Sequence, residues 1–364
     1  MTLFTVWMRN YHKSLLDFVG RNKIFILLII TLAVFNLFFS TSVFASVYKW
    51  LKLIELIIFY YYVRIRSDVF KSKTLTNTLF YSLVFFSIIG ILQFVFGSTL
   101  GGPLYLLGER SFNISTPGIA LVDIFGRNFM RAYSTFSHPN SLAGYLGVGL
   151  IMLLFAYSKK ELLKKSLGIT IICVVLFLTF SLSAFIGIAF CIVFFLIIRN
   201  NFFDRKNIIY IPAAFLLISL TLPFFSKVVI QSRLNFPQNI NERIELSLGA
   251  GRMISQKFLL GTGLNTFVIN ETRTKYMSSY IWILQPVHNI FLLIFSEIGI
   301  FGLMLFYFIL IRATQKAIVL NDKAFYLILL FVLVTGFIDH YWFTLQQNLL
   351  LLALVFGNSL RAEG

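Results

Sequence analysis

Residues Val287–Gly302 read VHNIFLLIFSEIGIFG. A histidine and an asparagine open the stretch, and more than two turns of apolar residues follow. Glu297, Gly299 and Gly302 then interrupt a run that resumes to Ile311. Read as one helix, this is a membrane span with a polar outer mouth and one acidic residue partway along it. An ionisable group at that depth is expensive and marks either function or a paired structural contact. Glu297 lies about 13 Å from His288 by helical rise, too far for both to serve one small ligand atom. It therefore reads as a structural carboxylate bonded to another span.

The remainder of the chain has the same character. Of its 364 residues, 58% are hydrophobic and only 12% charged, which excludes a soluble protein of this length. A net charge of +17 in so apolar a chain fits anionic surroundings, lipid headgroups on one side and a phosphate-bearing substrate. No nucleic acid is expected as partner, because the basic residues are dispersed between apolar runs. Cys173 and Cys191 both lie inside such runs, so neither a disulfide framework nor a cysteine metal site is in play. The first apolar run is too long for a signal-peptide core.

Apolar runs long enough to span, at about 20 residues each, fall near 24–45, 50–63, 78–98, 141–158, 166–180, 183–198, 208–226, 288–311, 324–338 and 342–357. They predict an all-α, polytopic integral membrane protein of about ten transmembrane helices, a single transmembrane domain over residues 1–364. Basic residues precede the first run (Arg9, Lys13, Arg21, Lys23) and separate the second from the third (Arg64, Arg66, Lys71, Lys73). Others follow the fourth (Lys159, Lys160, Lys164, Lys165), the sixth (Arg199, Arg205, Lys206), the eighth (Arg312, Lys316, Lys323) and the tenth (Arg361). Ten spans put all of them on one side, the cytoplasmic one, with both termini.

Two long segments then lie outside, 99–140 and 227–287, the second capping the membrane domain. It carries Lys227, Arg233, Arg243, Arg252, Lys257, Arg273 and Lys275 against Glu242, Glu245 and Glu271. Either an anionic ligand or a merely solvated face accounts for that excess. Glu242 to Leu260 reads as an interfacial helix, ended by the GTG at 261–263.

His12 lies in the cytoplasmic tail, but His138, His288 and His340 all fall at outer mouths, the last beside Asp339. Zinc could be built from two histidines and the aspartate, yet their spacing matches no metal motif, and no metal is expected. Arg131 and Arg243 each offer a planar fork to phosphate oxygens, with Arg252 and Arg127 as alternatives and headgroup contact as the competing reading. Pro139 and Asn140 suit the start of a helix, Asn140 as a cap.

Three segments carry a resemblance: RAYSTFSHPNSLAGYLG from Arg131, NERIELSLGAGRMISQKFLLGTGLNTF from Asn241, and VHNIFLLIFSEIGIFGLMLFY from Val287. In that order they resemble the hallmark segments of the superfamily of O-antigen ligases and Wzy-type O-antigen polymerases, lipid-linked glycan enzymes of the bacterial inner membrane. The resemblance covers roughly 120–312. It implies an entirely helical glycosyltransferase of the C superclass with its site facing the periplasm. The donor would be a glycan on undecaprenyl pyrophosphate and the acceptor a sugar hydroxyl, with no nucleotide sugar, metal or other cofactor. A flippase and a chain-length regulator would be partners, and membrane lipids would surround it.

Carried over by position, the family's catalytic histidine is His288 and its pyrophosphate-binding arginines are Arg131 and Arg243, with Arg252 as the alternative. Here Leu246 stands where the family has tryptophan, and KFLLGTG lacks the family's proline. His138, Asn140, Asn289, Asp339 and His340 would support the site or line its acceptor side.

The chemistry suits these residue types. Attack of a hydroxyl on an anomeric carbon displaces pyrophosphate, and two arginines would stabilise the charge that builds on it. An imidazole, with an ordinary pKa of roughly 6.5, can take the hydroxyl proton. A single displacement inverts the anomeric centre. The expected activity is polymerisation of O-antigen or capsule repeat units. The alternative is ligation of the glycan to lipid A-core. A flippase or transporter for a polyprenyl-linked glycan or anionic lipid is the reading from another class. It is disfavoured by the lack of an internal repeat and by long loops on one side only.

Overall fold

The computed structural model describes residues 19, 20, 22–66, 72–199, 208, 210–231, 238–273 and 285–359. Arg9, His12, Lys13, Arg21, Lys71, Arg205, Lys206, Arg233, Lys275 and Arg361, named above, lie outside the described residues, as do 232–237 and 274–284 of the large outer loop.

Each of the ten apolar runs forms a helix. They are α1 (Lys23–Phe38), α2 (Val43–Ile65), α3 (Ser72–Phe96), α4 (Pro139–Ala156), α6 (Ser166–Leu178), α7 (Leu182–Arg199), α8 (Tyr210–Gln231), α11 (Ile290–Leu320), α12 (Lys323–Ile338) and α14 (Gln346–Ser359). Four shorter or more polar helices join them: α5 (Lys159–Lys164), α9 (Gln238–Gln256), α10 (Phe267–Arg273) and α13 (Tyr341–Thr344). Among the described residues, α3, α4 and α11 are long and apolar enough to cross a membrane by themselves; α1, α6, α12 and parts of α7 and α8 are apolar but shorter.

The centre of the bundle is α12. Every residue from Phe325 to Gly336 is buried, as expected of a helix that is apolar all round. It is packed by α4, α7 and α11. Gly147 of α4 and Gly187 of α7 both come against the Phe331 ring, where a Cβ would overlap it, so small residues let three helices close on one aromatic side chain.

Three features depart from the sequence expectations. The first apolar run does not continue to residue 45: α1 ends at Phe38 and α2 begins at Val43. Ser40, Thr41 and Ser42 intervene. Ser40 Oγ bonds Ser46 Oγ at 2.7 Å and the Thr41 amide donates to the Thr262 carbonyl at 2.9 Å, an alternative to helical pairing that short hydroxyl residues favour.

The 99–140 segment is not purely irregular, and the described residues are not all helical. A 3-10 turn, Gly102–Leu107, is followed by an antiparallel hairpin of β1 (Leu121–Ile124) and β2 (Arg127–Met130). The register pairs Leu121 with Met130 and Ile124 with Arg127. Phe125 and Gly126 form the turn, both at positive φ, 52° and 76°.

Finally, the stretch 287–311 is not one uninterrupted helix. Gly299 sits at φ 75°, ψ −171°, and breaks α11 into two pieces. The backbone after α9 fills the break. Thr262 N donates to the Ser296 carbonyl at 2.9 Å, Gly263 N to the Glu297 carbonyl at 3.0 Å, and Ile300 N to the Phe258 carbonyl at 2.9 Å. The GTG at 261–263 is therefore not simply a helix terminator, since α9 already ends at Gln256. It is a plug for the carbonyls that the broken helix would otherwise leave without partners, which no apolar interior tolerates.

Candidate active site at one mouth of the bundle

The plug explains Glu297. Its carboxylate accepts from the amides of Asn265 (2.8 Å) and Phe267 (3.0 Å) at the start of α10. It thus holds the backbone of the large loop, where the sequence reading expects a contact with another span. Asn36 of α1 completes the joint. Fully buried, it donates to the carbonyls of Leu260 and Glu297 at 2.8 and 2.9 Å and accepts from Trp50 Nε1 and the Leu264 amide. The large loop is thus bolted to α1, α2 and α11, and α9 is held over the bundle.

Four helix ends meet beside it. His288 precedes α11, whose N-cap is Asn289; the Asn289 side chain accepts from the amides of Phe291 and Leu292 and donates to the Phe337 carbonyl at 3.0 Å. Asp339 is the C-cap of α12 and His340 the N-cap of the short α13. His138 is the N-cap of α4. Sequence separations of up to about two hundred residues are closed by these terminations.

Asp339 is the centre of the cluster. One carboxylate oxygen accepts from the His340 amide at 2.7 Å and lies 3.6 Å from His288 Nδ1. The other accepts from Asn140 Nδ2 at 2.6 Å. Asn140 in turn accepts from Arg131 Nη2 at 2.6 Å, while Arg131 Nε donates to the Thr179 carbonyl at 2.5 Å. His288 Nδ1 is buried with no hydrogen-bond partner among the described residues; 3.6 Å is ion-pair range, longer than a hydrogen bond. The His288 and His340 rings sit 5.2 Å apart, centre to centre.

Asn140 does not cap its helix. That is done by the His138 ring, whose Nδ1 accepts from the Asn140 amide at 3.2 Å. This leaves the Asn140 amide group free to bridge guanidinium and carboxylate.

Of the two large-loop arginines, the structure brings one to the cluster. Arg243 Nη1 donates to the Ile338 carbonyl at 2.9 Å, one residue before Asp339, and its charge is felt at Arg131 and His340. Arg252 is nine residues further along α9, two and a half turns, and so projects from the opposite face. It interacts instead with Glu245 and Glu271. Arg127, the other alternative, is exposed on β2.

The electrostatics follow from burial and charge. Burial, seconded by the like charge of Arg243, pulls the Arg131 guanidinium below its usual value, opposed by Tyr133 and Asp339. Burial also lowers His138 and His340 to about 4 each, against the pull of Asp339. Burial alone would raise the Asp339 carboxyl, but the surrounding imidazoles outweigh it and hold it well below the usual carboxylate range. At neutral pH the cluster thus carries a carboxylate, two guanidinium groups and neutral His138 and His340.

His288, Asp339 and His340 each present a possible ligand atom, all within 4.8 Å of one another, so a metal ion could be held only here among the described residues. His340 Nδ1 is already engaged with Thr344 Oγ1 at 2.8 Å, Asp339 is linked through Asn140 to the Arg131 guanidinium, and Arg243 sits on the neighbouring Ile338 carbonyl. That field favours an anion over an added cation.

Sequence reading missed three contributors. The Thr179 and Ile338 carbonyls that aim the arginines are backbone groups and leave no residue-type signal. Lys49 of α2 is buried and donates to the Phe343 carbonyl at 2.7 Å, fixing α13 just after His340. A lysine partway along a largely apolar helix is a signal that could have found it.

No curated protein matches the chain. Residues 167–307, which hold the large loop, Arg243 and His288, match the family model described as O-antigen ligase, and the match supports the O-antigen ligase and Wzy-type superfamily, enzymes of polysaccharide and lipopolysaccharide assembly in bacterial membranes.

Proposed function

We propose that the protein transfers a glycan from undecaprenyl pyrophosphate to a sugar hydroxyl on the outer face of the bacterial inner membrane, polymerising surface-polysaccharide repeat units. The observation that supports it most is the meeting of His288, Asp339, Arg131 and Arg243 at one mouth of the bundle. A diphosphate needs cations held in place by other groups, and both arginines are anchored by carbonyls.

In the reaction, the acceptor hydroxyl attacks the anomeric carbon as its proton passes to the outer ring nitrogen of His288. The bond from that carbon to the pyrophosphate oxygen breaks, and Arg131 and Arg243 take up the charge on the leaving group. Asp339 is a positioning residue. Its carboxylate faces Nδ1, which favours the tautomer with the proton there and the other nitrogen free to accept. No covalent intermediate is required, because the donor brings its own leaving group, and the anomeric configuration inverts.

The ligase reading shares every one of these steps and differs in the acceptor, lipid A-core. The transporter reading is weakened at the break in α11. In carriers, carbonyls released by a broken helix bind the cargo, whereas here the protein's own amides occupy them.

The test is reconstitution of the purified protein with lipid-linked repeat units, alone and with lipid A-core. A ladder formed without lipid A-core identifies a polymerase, and product formed only with it identifies a ligase. His288→Ala and Arg243→Ala are expected to abolish transfer while remaining folded, and Arg252→Ala to retain it. Full turnover by His288→Ala would remove the general-base assignment.

A further inference from the structure

The segment between α3 and α4 spends its apolar residues in an unusual way. Phe125 is completely exposed at the tip of the hairpin, and it occupies a left-handed position, φ 52°. Two-residue hairpin turns with both φ values positive favour asparagine, aspartate or glycine there, because a larger side chain is strained. A phenylalanine held in that conformation with no protein contact has nothing to gain in water. Tyr105, Leu106 and Leu107 of the 3-10 turn are likewise exposed, as are Ile114 and Leu121.

The position of the segment says what covers them. Phe129 of β2 stacks on Phe94 near the outer end of α3, ring centres 5.6 Å apart and planes within 10°. Ile114 N donates to the Gly97 carbonyl and Thr99 N to the Phe112 carbonyl, both at 3.0 Å. The segment is therefore strapped to the end of a spanning helix whose last residues, Val95 and Phe96, are themselves two-thirds exposed, an apolar surface that continues directly into it. The exposed charged residues within it are Arg110, Arg127 and Asp123. Its acids are Asp123, which accepts from the Gly126 amide within the turn, and Glu109, buried against the amides of Leu100 and Gly101. Exposed aromatic and aliphatic groups flanked by arginines are the composition of a surface lying in the headgroup region of an anionic bilayer.

We propose that the 3-10 turn and the hairpin form a wedge inserted into the outer leaflet, with Phe125 at its tip among the acyl chains and Arg110 and Arg127 at the phosphates. The occupant of this surface is lipid. Because β2 runs directly into Arg131, and the Arg131 amide donates back to the Ala120 carbonyl at 3.2 Å, the wedge would also set the depth of that guanidinium relative to the membrane surface. Only this last consequence rests on the assigned chemistry.

The test reads depth and not activity, so its failure leaves the glycosyl-transfer reading standing. In a Cys173→Ser, Cys191→Ser background, Phe125→Cys, Leu106→Cys and Ser115→Cys are each labelled with an environment-sensitive fluorophore. The protein is placed in nanodiscs of phosphatidylethanolamine and phosphatidylglycerol, and Ser115, exposed in the polar turn after Asn113, serves as the reference. Labels at 125 and 106 are expected to emit further to the blue. They should be quenched several-fold more by lipids with a nitroxide high on the acyl chain than the label at 115, and less by aqueous iodide. Equal iodide quenching at 125 and 115 overturns the proposal, as does absence of nitroxide quenching at 125. Unlabelled Phe125→Asn, which relieves the turn, checks folding: it should match or exceed the parent in thermal stability in detergent, and lower stability would mean the phenyl group packs on protein.

Discussion

Replacing Asp339 by asparagine keeps the size of the side chain but removes the charge around which the site is arranged. The neutral amide still accepts from the His340 backbone, yet it no longer offsets the Arg131 guanidinium or presents a charge to His288 Nδ1. If Asp339 positions the base, kcat should fall by on the order of 10²-fold or more while KM for the lipid-linked donor changes little. Asp339→Glu should recover part of the loss. A raised donor KM with unchanged kcat would instead place Asp339 in substrate binding.

The two partly buried histidines predict acid lability. His138 and His340 have ordinary values of 6.5 and are lowered to about 4 by burial, so between these limits the unfolded chain binds protons that the native cluster refuses. Stability should thus be level above about pH 6.5 and fall as pH drops toward 4, by up to about 3 kcal/mol for each histidine. Asp339 acts in a different window, since its lowered carboxyl contributes stability that disappears only below its ordinary 3.8. Thermal unfolding in detergent across this range checks the expectation, and a double His138→Gln, His340→Gln variant should flatten it.

Among the elements, the joint between α11 and the large loop is the most demanding. A Cβ at Gly299 would stand 2.2 Å from the Leu259 carbonyl oxygen, and one at Gly261 would stand 2.3 Å from the Glu297 carbonyl carbon; both glycines have positive φ. Gly299→Ala therefore meets strain and overlap together and should destabilise by at least about 2 kcal/mol. A drop in the melting temperature of the detergent-solubilised protein reads this directly, and an unchanged value would mean the break can close into a continuous helix. The sequence displays the parts of this joint, Glu297, Gly299 and the GTG, in two places some forty residues apart. It does not display their contact, because the plug acts through backbone amides. A periodic apolar pattern also runs through Gly299 without change, which is why the stretch reads as unbroken.

At the scale of the whole molecule, what could be read from sequence was what burial and charge write into residue type. The ten apolar runs each became a helix, and His138, His288, His340 and Asp339 gathered at one end because each stands at the end or start of such a run, while Arg131 reaches it from the end of β2. The choice between Arg243 and Arg252 needed the rotation of α9 about its axis, and an imperfect apolar spacing did not supply that. The hairpin was missed because four-residue strands with an aromatic turn residue lack the usual Asn-Gly signal.

Which side of the membrane this end faces follows from charge, and it can be measured. The loop from Tyr157 to Lys165 carries Lys159, Lys160, Lys164 and Lys165, and α11 ends in a stretch with Arg312 and Lys316 before Lys323 opens α12. The site lies at the other ends of α4, α11 and α12. The positive-inside rule predicts that those lysine-rich turns are cytoplasmic and that His288 faces out. Reporter fusions should therefore show cytoplasmic activity after residues 160 and 321 and periplasmic activity after residues 115 and 286. The opposite pattern would put the cluster on the cytoplasmic face, where an externally presented lipid-linked glycan could not reach it, and the proposed reaction would fail with the topology.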